Sequence, residues 1–239
     1  MRGSLDAFIR EALRAEDTLA LKACFIEHMD ARGLDCVAYS HLAEGFRKIR
    51  PEKGFRLTTF PEEFTCSYVT LNAFPTDPMI AEARQRGLPF DWREIEEQAT
   101  LSADQRRIFD EAREAGIRMA IGVPVYSRPG DVAYFSLAST RHNARLDRAQ
   151  LLELQAVCQQ MHVLYNELMG VNDGPKLSRR EVQVLELIAQ GKSNSAISEA
   201  LGVSPNTVDT LVRRCFEKLG VSSRVEAALA GVAKGVILP

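Results

Sequence analysis

Residues 177–224 read LSRREVQVLELIAQGKSNSAISEALGVSPNTVDTLVRRCFEKLGVSSR, and this stretch decides the fold of the last quarter of the chain. Ser178 and Glu181 have the spacing of a capping box, in which each side chain satisfies a backbone donor of the first helical turn. Gly191 is typical of the residue that follows a helix. A short second helix is predicted over about 194–201.

A third helix is predicted to begin at Pro205, because Ser204 is a good N-cap and proline fits the first helical position. Gly220 ends it, and a second capping box at Ser223 precedes a fourth helix. Two helices joined by a tight turn, the second longer and partly basic, indicate a helix-turn-helix. In that architecture the second helix enters the major groove of double-stranded DNA.

The polar side of the helix that begins at Pro205 is predicted to contact DNA. Asparagine pairs with adenine, arginine with guanine, and aspartate accepts from cytosine, so Asn206, Asp209 and Arg213 are candidates for base contacts. Hydroxyl and basic side chains around them are candidates for phosphate contacts. The alternative is a helical bundle whose polar face is only solvated. The predicted DNA-binding residues are Lys192, Ser193, Asn206, Thr207, Asp209, Thr210, Arg213 and Arg214.

Composition is ordinary for a globular protein, with 46% hydrophobic and 26% charged residues in a chain of 239. The charge is uneven, since nine basic and six acidic residues in 176–239 give +3, and the totals of 30 and 32 leave −5 elsewhere. A basic domain on an acidic body suits a DNA-binding protein. Five cysteines without a CxxC pair and four scattered histidines predict free thiols and no metal site.

The first 170 residues mix helical and strand-like segments. We expect an α/β/α sandwich with a largely antiparallel sheet, so that the chain as a whole is α+β with a small all-α four-helix domain at its end. The last two strands form a hairpin around a Pro–Gly turn at 128–131. The predicted strands are 36–40, 55–60, 119–126 and 132–138. The predicted helices are about 4–15, 17–31, 78–86, 102–115 and 147–168.

Three segments follow from this pattern: a domain over 1–170, a linker over 171–175 and the helical domain over 176–239. The linker is predicted from Asn172-Asp173-Gly174-Pro175, because glycine and proline together end regular structure. The apolar stripe of helix 147–168 suits self-association, and symmetric DNA sites are met by symmetric dimers. We therefore expect a homodimer on a palindromic site, with RNA polymerase as a candidate further partner.

The N-terminus lacks the apolar core of a signal peptide, and no run approaches the roughly 20 apolar residues of a membrane helix. A cytoplasmic protein without a membrane partner is expected. A phosphorylated receiver domain is disfavoured, because the acidic pair that it needs near its start is missing. Enzyme function is disfavoured, because no nucleophile, base and orienting residue form a recognisable set.

The stretch from Phe60 to Trp92 gathers aromatic side chains around Asp77, which precedes Pro78. From the residues alone, an aromatic core and a helix N-cap are the simplest interpretation. The aromatic residues are Phe60, Phe64, Tyr68, Phe74, Phe90 and Trp92.

Residues 177–224 resemble the DNA-binding domain of LuxR-type regulators. Ser195, Asp209 and Leu211 depart from the family pattern, so the fold is expected but the operator sequence is not predicted. The matching positions are Glu181, Leu185, Gly191, Ser193, Asn194, Ile197, Leu201, Thr207, Val208, Lys218, Leu219 and Arg224.

The 60–92 stretch is similar to the acyl-homoserine-lactone-binding domain of the same family, and the match continues through Pro124 and residues 135–139. The resemblance implies no cofactor but a small-molecule ligand in a closed cavity between sheet and helices. An aspartate there accepts from the ligand's amide N–H, while tyrosine, tryptophan and serine or threonine side chains donate to its carbonyls. The implied ligand-binding residues are Phe60, Phe64, Tyr68, Asp77, Met79, Trp92, Ala120 and Ser136.

Three of these positions depart from the family. Phe60 stands where many members have tyrosine, Phe64 where they have the lactone-binding tryptophan, and Ala120 where glycine is usual. Each phenylalanine keeps aromatic bulk but removes a donor, and an unpartnered carbonyl costs about 1–3 kcal/mol.

Three hypotheses remain open from the sequence. In the first, the ligand is less polar at its head group or is another small molecule with an N–H for Asp77. In the second, the aromatic side chains of the protein fill the pocket and no ligand is needed. In that second case Asp77 requires an internal donor such as Tyr68 or Ser136. The third hypothesis is an ordinary acyl-homoserine lactone held by rearranged contacts, with water replacing an indole.

Overall fold

The computed structural model describes residues 4–42, 57–98, 100–127, 132–170 and 176–238. The predicted linker at 171–175 and the predicted turn at 128–131 lie outside these residues. The chain forms two compact units, each defined by the contacts among its own residues. The larger unit contains most of the first 169 residues, and the smaller unit contains Gly170–Pro239.

The larger unit is built on a five-stranded sheet with the order β2-β1-β5-β4-β3. Every pairing is antiparallel, and β4 and β5 pair along their full length from Met119↔Ser139 to Tyr126↔Val132. The predicted antiparallel sheet is thereby confirmed. The strands are β1 (Cys36–His41), β2 (Leu57–Thr58), β3 (Phe90–Asp91), β4 (Met119–Tyr126) and β5 (Val132–Ser139).

Helices cover both faces of this sheet, which confirms the predicted sandwich. One core lies under α1, α2 and α7 and includes Phe25, Phe135 and Met161. The other contains residues of α4, α5 and α6, among them Trp92 and Phe109. The helices are α1 (Leu5–Ala12), α2 (Thr18–Asp30), α3 (Glu62–Thr70), α4 (Pro78–Ala83), α5 (Trp92–Gln98), α6 (Ala103–Glu114) and α7 (Arg148–Leu168).

Two helices of the second face were not predicted. Of the strand expected over 55–60, residues 55 and 56 lie outside the described residues, and β2 comprises Leu57–Thr58. Helix α3 begins soon after β2, at Glu62. Aromatic and threonine side chains give α3 a weak intrinsic helix preference, so its contacts with α6 decide its structure. Helix α5 was missed because it follows β3 without an intervening loop.

The apolar stripe of α7 packs inside its own unit, which corrects the proposal that this stripe serves self-association. Leu154, Val157, Cys158 and Met161 are all buried against the sheet and α1. An amphipathic pattern shows that a stripe is covered but not what covers it.

The smaller unit contains the four predicted helices, α8 (Arg179–Ala189), α9 (Asn194–Leu201), α10 (Pro205–Leu219) and α11 (Arg224–Ala233). Both predicted capping boxes form, at Ser178 and at Ser223. Gly202 and Gly220 end α9 and α10 with φ of 62° and 72°, the left-handed region in which glycine is favoured. Local sequence therefore determines the limits of these helices.

An ion pair between a buried glutamate and a partly exposed lysine joins α8 to α10. The Glu181 carboxylate is 2% exposed and accepts hydrogen bonds from the Lys218 ammonium at 2.7 Å and the Ser178 N–H at 2.6 Å. Burial alone would raise the pKa of Glu181, but the bonds from Lys218 and Ser178 outweigh burial and lower it. The first and third helices of the unit are thus joined by a charge-assisted bond.

The described residues can also be compared with the expectations about membrane helices, metal sites and cysteines. None of their helices is long and apolar enough to cross a membrane. Within the same ranges, no group of three or more His, Cys, Asp or Glu residues is placed to hold a metal ion. The five cysteines all fall in described segments, and each is a free thiol.

Candidate functional site

A cavity of about 270 Å³ lies between the sheet and the helices of its second face. Its lining brings together all eight residues that the sequence assigned to ligand binding: Phe60, Phe64, Tyr68, Asp77, Met79, Trp92, Ala120 and Ser136.

One aromatic residue of the 60–92 stretch does not line this cavity. Phe90 packs instead against Gly122 on the paired strand, where any Cβ would clash with its ring. Phe90 is therefore a core residue, and Gly122 provides the space for it.

Asp77 is the buried acid of the cavity and also the N-cap of α4. Its Oδ1 accepts from the Met79 N–H at 2.8 Å, and its Oδ2 accepts from the Tyr68 hydroxyl at 2.6 Å. Pro78 occupies the first turn, where it has no N–H to satisfy. Asp77 is 9% exposed, and burial raises its pKa, although the bonds from Tyr68 and Met79 act in the opposite direction.

Tyr134 is a cavity residue that the sequence analysis missed. It lies on β5 two residues before Ser136, and both side chains line the cavity, because alternate residues of a strand share a face. Burial and the negative charge of Asp77 raise the pKa of Tyr134, while the Ser136 hydroxyl acts in the opposite direction. Its position two residues before Ser136 on a predicted strand was the signal that could have identified it.

The remaining walls are aromatic and apolar. The Phe64 ring lies 5.7 Å from the rings of both Phe60 and Tyr68, measured between centroids. Trp92 meets Phe109 edge to face at 5.9 Å. Such walls accommodate an apolar chain or ring, and the polar groups at Asp77, Tyr134 and Ser136 orient one end of it.

The eight residues predicted to bind DNA all lie in the smaller unit. Seven are exposed, and Thr210 is half-buried. Some already have partners, since the Thr210 hydroxyl donates to the Asn206 carbonyl at 2.9 Å and the Arg213 guanidinium lies 3.9 Å from Glu217. Lys192 and Ser193 precede α9, while the other six belong to α10.

Asn194 and Arg224 form a network at this surface that sequence reasoning missed. The Asn194 amide donates to the Asp209 carboxylate at 2.5 Å, and Arg224 donates to the Asn194 amide oxygen at 2.7 Å. Arg224 also donates to the Lys192 carbonyl. This network fixes the orientation of Asp209.

Two family descriptions match the chain. Residues 17–164 match "Autoinducer binding domain", and residues 175–230 match "Bacterial regulatory proteins, luxR family". The chain belongs to the LuxR family. It is therefore a LuxR-type quorum-sensing transcription regulator with a DNA-binding helix-turn-helix, and not an enzyme.

Similar proteins match two thirds of the chain or more. The transcriptional activator protein TraR of Rhizobium radiobacter is 27% identical over 241 residues, which cover 99% of this chain and 100% of TraR. The putative HTH-type transcriptional regulator y4qH of Sinorhizobium fredii is 32% identical over 163 residues, 67% of this chain, and the match spans half of y4qH. The crystal structure of Escherichia coli SdiA has a TM-score of 0.77 at 18% identity and covers 98% of both chains.

Proposed function

We propose that this LuxR-family chain binds a small amphiphilic ligand whose head group is less polar than a homoserine lactone. The observation that carries the proposal is the cavity around Asp77, in which Phe60 and Phe64 supply aromatic surface without donors. A lactone carbonyl placed beside them loses partners, at about 1–3 kcal/mol for each.

The size and the polarity of the cavity define the ligand class. About 270 Å³ lies just below the range of about 300–1,000 Å³ that is usual for drug-sized ligands. A short acyl chain with a hydroxyl-bearing head fits this description. The SdiA structure is also known in complex with octanoyl-rac-glycerol, at 20% identity and a TM-score of 0.75 to this chain. We extend that ligand class to this protein.

The contacts of Asp77 support folding without a ligand. Both carboxylate oxygens accept internal hydrogen bonds, from Tyr68 and from Met79, so an empty cavity leaves neither oxygen unpaired. An internal donor was required by the hypothesis of a ligand-independent regulator, and Tyr68 fills that role. The same hypothesis also requires that the protein's own aromatic side chains fill the pocket. A cavity volume of about 270 Å³ argues against such filling.

An acyl-homoserine lactone is the second candidate. Tyr68, Asp77, Trp92 and Ser136 line one cavity and are the residue types that the family uses for this ligand. A water molecule would have to replace the donors absent at Phe60 and Phe64.

Thermal unfolding of the full chain distinguishes these candidates. A ligand that binds only the folded state adds about 2.7 kcal/mol at one hundred times its dissociation constant. We expect 1-octanoylglycerol to raise the unfolding temperature more than N-octanoyl homoserine lactone at equal concentration. A larger shift with the lactone would favour the second candidate, and no shift with either would contradict ligand binding of this class.

For the output, we propose that residues 176–239 bind a palindromic site on double-stranded DNA as a homodimer, with 171–175 linking them to the sensor domain 1–170. Val225 and Leu229 support dimerisation through α11, because they are 70% and 51% exposed on one side of that helix. RNA polymerase is a further partner in this proposal.

Two substitutions separate base contacts from phosphate contacts. Arg213→Ala is expected to cost about 1–3 kcal/mol on the preferred site and to relax the preference at one base pair. Lys192→Ala is expected to weaken all sites alike and to lower the salt slope by about one. Fluorescence anisotropy over a panel of single-base operator variants measures both effects.

Arg14→Ala is the matched control, because Arg14 is exposed in the sensor domain and its removal deletes the same charge. It should leave both the salt slope and the base preference unchanged. If the Arg213 and Lys192 variants gave the same profile across the panel, the assigned base-contacting face would be wrong.

A further inference from the structure

We infer that Tyr134 is the donor that selects the ligand's head group, by binding a carbonyl oxygen while Asp77 accepts from a neighbouring O–H or N–H. This inference rests on the ligand-binding function proposed above. Phe60 and Phe64 have no hydrogen-bond donors on their side chains. In this inference Tyr134, on the sheet, provides a donor instead.

The first support is position. Tyr134 is 5% exposed, lines the cavity from β5, and lies close enough to Asp77 to feel its charge. Its cross-strand neighbours are Ser40 on β1 and Pro124 on β4, so the central strand of the sheet holds its backbone on both sides. A side chain on a paired central strand is better fixed than one on a loop.

The second support is the proton inventory of the cavity. Two hydroxyl protons in the described lining are already donated, from Tyr68 to Asp77 at 2.6 Å and from Thr65 to the Pro61 carbonyl at 3.1 Å. The Ser136 hydroxyl lowers the pKa of Tyr134, in the direction opposite to burial. Within the described residues no acceptor takes the phenol proton of Tyr134, which is therefore available to a ligand.

The third support is protonation state. Burial and the charge of Asp77 both raise the pKa of Tyr134, so the phenol keeps its proton at neutral pH. The lining of the cavity therefore contains a buried donor, Tyr134, and a buried acceptor, Asp77. The matching head group carries a carbonyl next to a hydroxyl or an amide N–H, as in a glycerol ester or a fatty amide.

A pair of probes that differ by one oxygen tests this assignment. 1-Octanoylglycerol has an ester carbonyl, and 1-O-octylglycerol has a methylene in its place. The full chain should bind the ester about tenfold more tightly than the ether, as expected for one buried hydrogen bond. Tyr134→Phe should weaken the ester about tenfold, leave the ether unchanged and so abolish the preference. Isothermal titration calorimetry gives both constants.

Tyr126→Phe is the matched control, since the Tyr126 hydroxyl donates to the Arg86 carbonyl at 2.8 Å and is not part of the cavity lining. It should keep the preference for the ester. Circular dichroism establishes that both variants fold, and the tenfold preference of the wild-type chain tests the inference even without them.

The outcomes distinguish this inference from the proposed function. If the wild-type chain binds both probes equally, or if Tyr134→Phe retains the preference for the ester, the role of Tyr134 is wrong while ligand binding stands. If the wild-type chain binds neither probe, the proposed ligand class fails and the inference fails with it.

Discussion

Asp77→Asn is expected to stabilise the ligand-free protein and to weaken ligand binding, two effects of opposite sign from one substitution. Burial raises the pKa of Asp77, so folding disfavours its ionised form. The stability that this carboxyl provides is full below its unfolded pKa of about 3.9 and is lost as the pH rises through the folded pKa. Ionisation of the buried carboxyl therefore costs stability, and asparagine, which cannot ionise, removes this cost.

The amide also keeps the helix-capping role of Asp77. Asparagine is as good an N-cap as aspartate, because its oxygen can accept from the Met79 N–H, while its amide N–H can donate to the Tyr68 hydroxyl oxygen. We expect the free energy of unfolding to rise by about 0.5–2 kcal/mol, the usual range for stabilising substitutions. Ligand affinity should fall about 10- to 150-fold, because a hydrogen bond to a charged acceptor contributes about 1.5–3 kcal/mol.

Urea unfolding and calorimetry with 1-octanoylglycerol measure the two effects on the full chain. Asp17→Asn is the matched control, because Asp17 caps α2 in the same way, accepting from the Ala20 N–H at 2.8 Å, but is exposed. It should change neither quantity. Lower stability combined with unchanged affinity in Asp77→Asn would show that Asp77 is only a helix cap.

Glu181→Gln is expected to have the largest effect on the stability of the DNA-binding domain. Glutamine keeps the capping box but loses the charge that pairs with Lys218. Breaking a buried ion pair costs about 3–5 kcal/mol, and the partial exposure of Lys218 reduces the expected loss to about 2 kcal/mol. For a domain of 60–100 residues this corresponds to roughly 10 °C in unfolding temperature.

This effect should depend on pH in a defined direction. The pKa of Glu181 is lowered in the folded state, so its stabilisation is present above the unfolded value of about 4.3 and is lost as the pH falls through the folded pKa. The difference between the wild-type chain and Glu181→Gln should therefore shrink on acidification. Hydrogen exchange of the α8–α11 amides measures the stability of this domain within the full chain.

Glu226→Gln provides the control for the cap alone. Glu226 forms the second capping box with Ser223 but is exposed, and its carboxylate accepts from Ser222 and Ser223 rather than from a lysine. It should reduce protection less than Glu181→Gln does. Equal effects of the two variants would mean that the cap, and not the bond to Lys218, stabilises the domain.

The DNA-binding domain was predictable because its helix limits depend on local chemistry. Ser178, Ser204 and Ser223 cap their helices by contacts three residues away, and Gly202 and Gly220 end theirs by backbone conformation. What the sequence could not provide is the contact between Asn194 and Asp209, because it joins two helices whose packing only the fold defines.

The residues that line the cavity were predictable, but the hydrogen bonds between them were not. The eight expected residues line it, yet the hydrogen bond from Tyr68 to Asp77 depends on how α3 packs, and α3 itself was not predicted. Tyr134 was missed because a tyrosine in an apolar strand looks like core until the facing surface is known to be a cavity. The apolar stripe of α7 is a similar case, because its sequence pattern predicts that the stripe is buried but not which element packs against it.

The most direct test of the central claim is whether ligand in the Asp77 cavity changes DNA binding. The full chain is titrated onto a duplex that it has selected from random DNA, with and without 1-octanoylglycerol at one hundred times its dissociation constant. We predict a change in DNA affinity of at least fivefold in the wild-type chain, the lower end of typical coupling between sites. At the same ligand concentration we predict a smaller change in Asp77→Asn. Equal DNA affinity with and without bound ligand in the wild-type chain would contradict a ligand-controlled regulator.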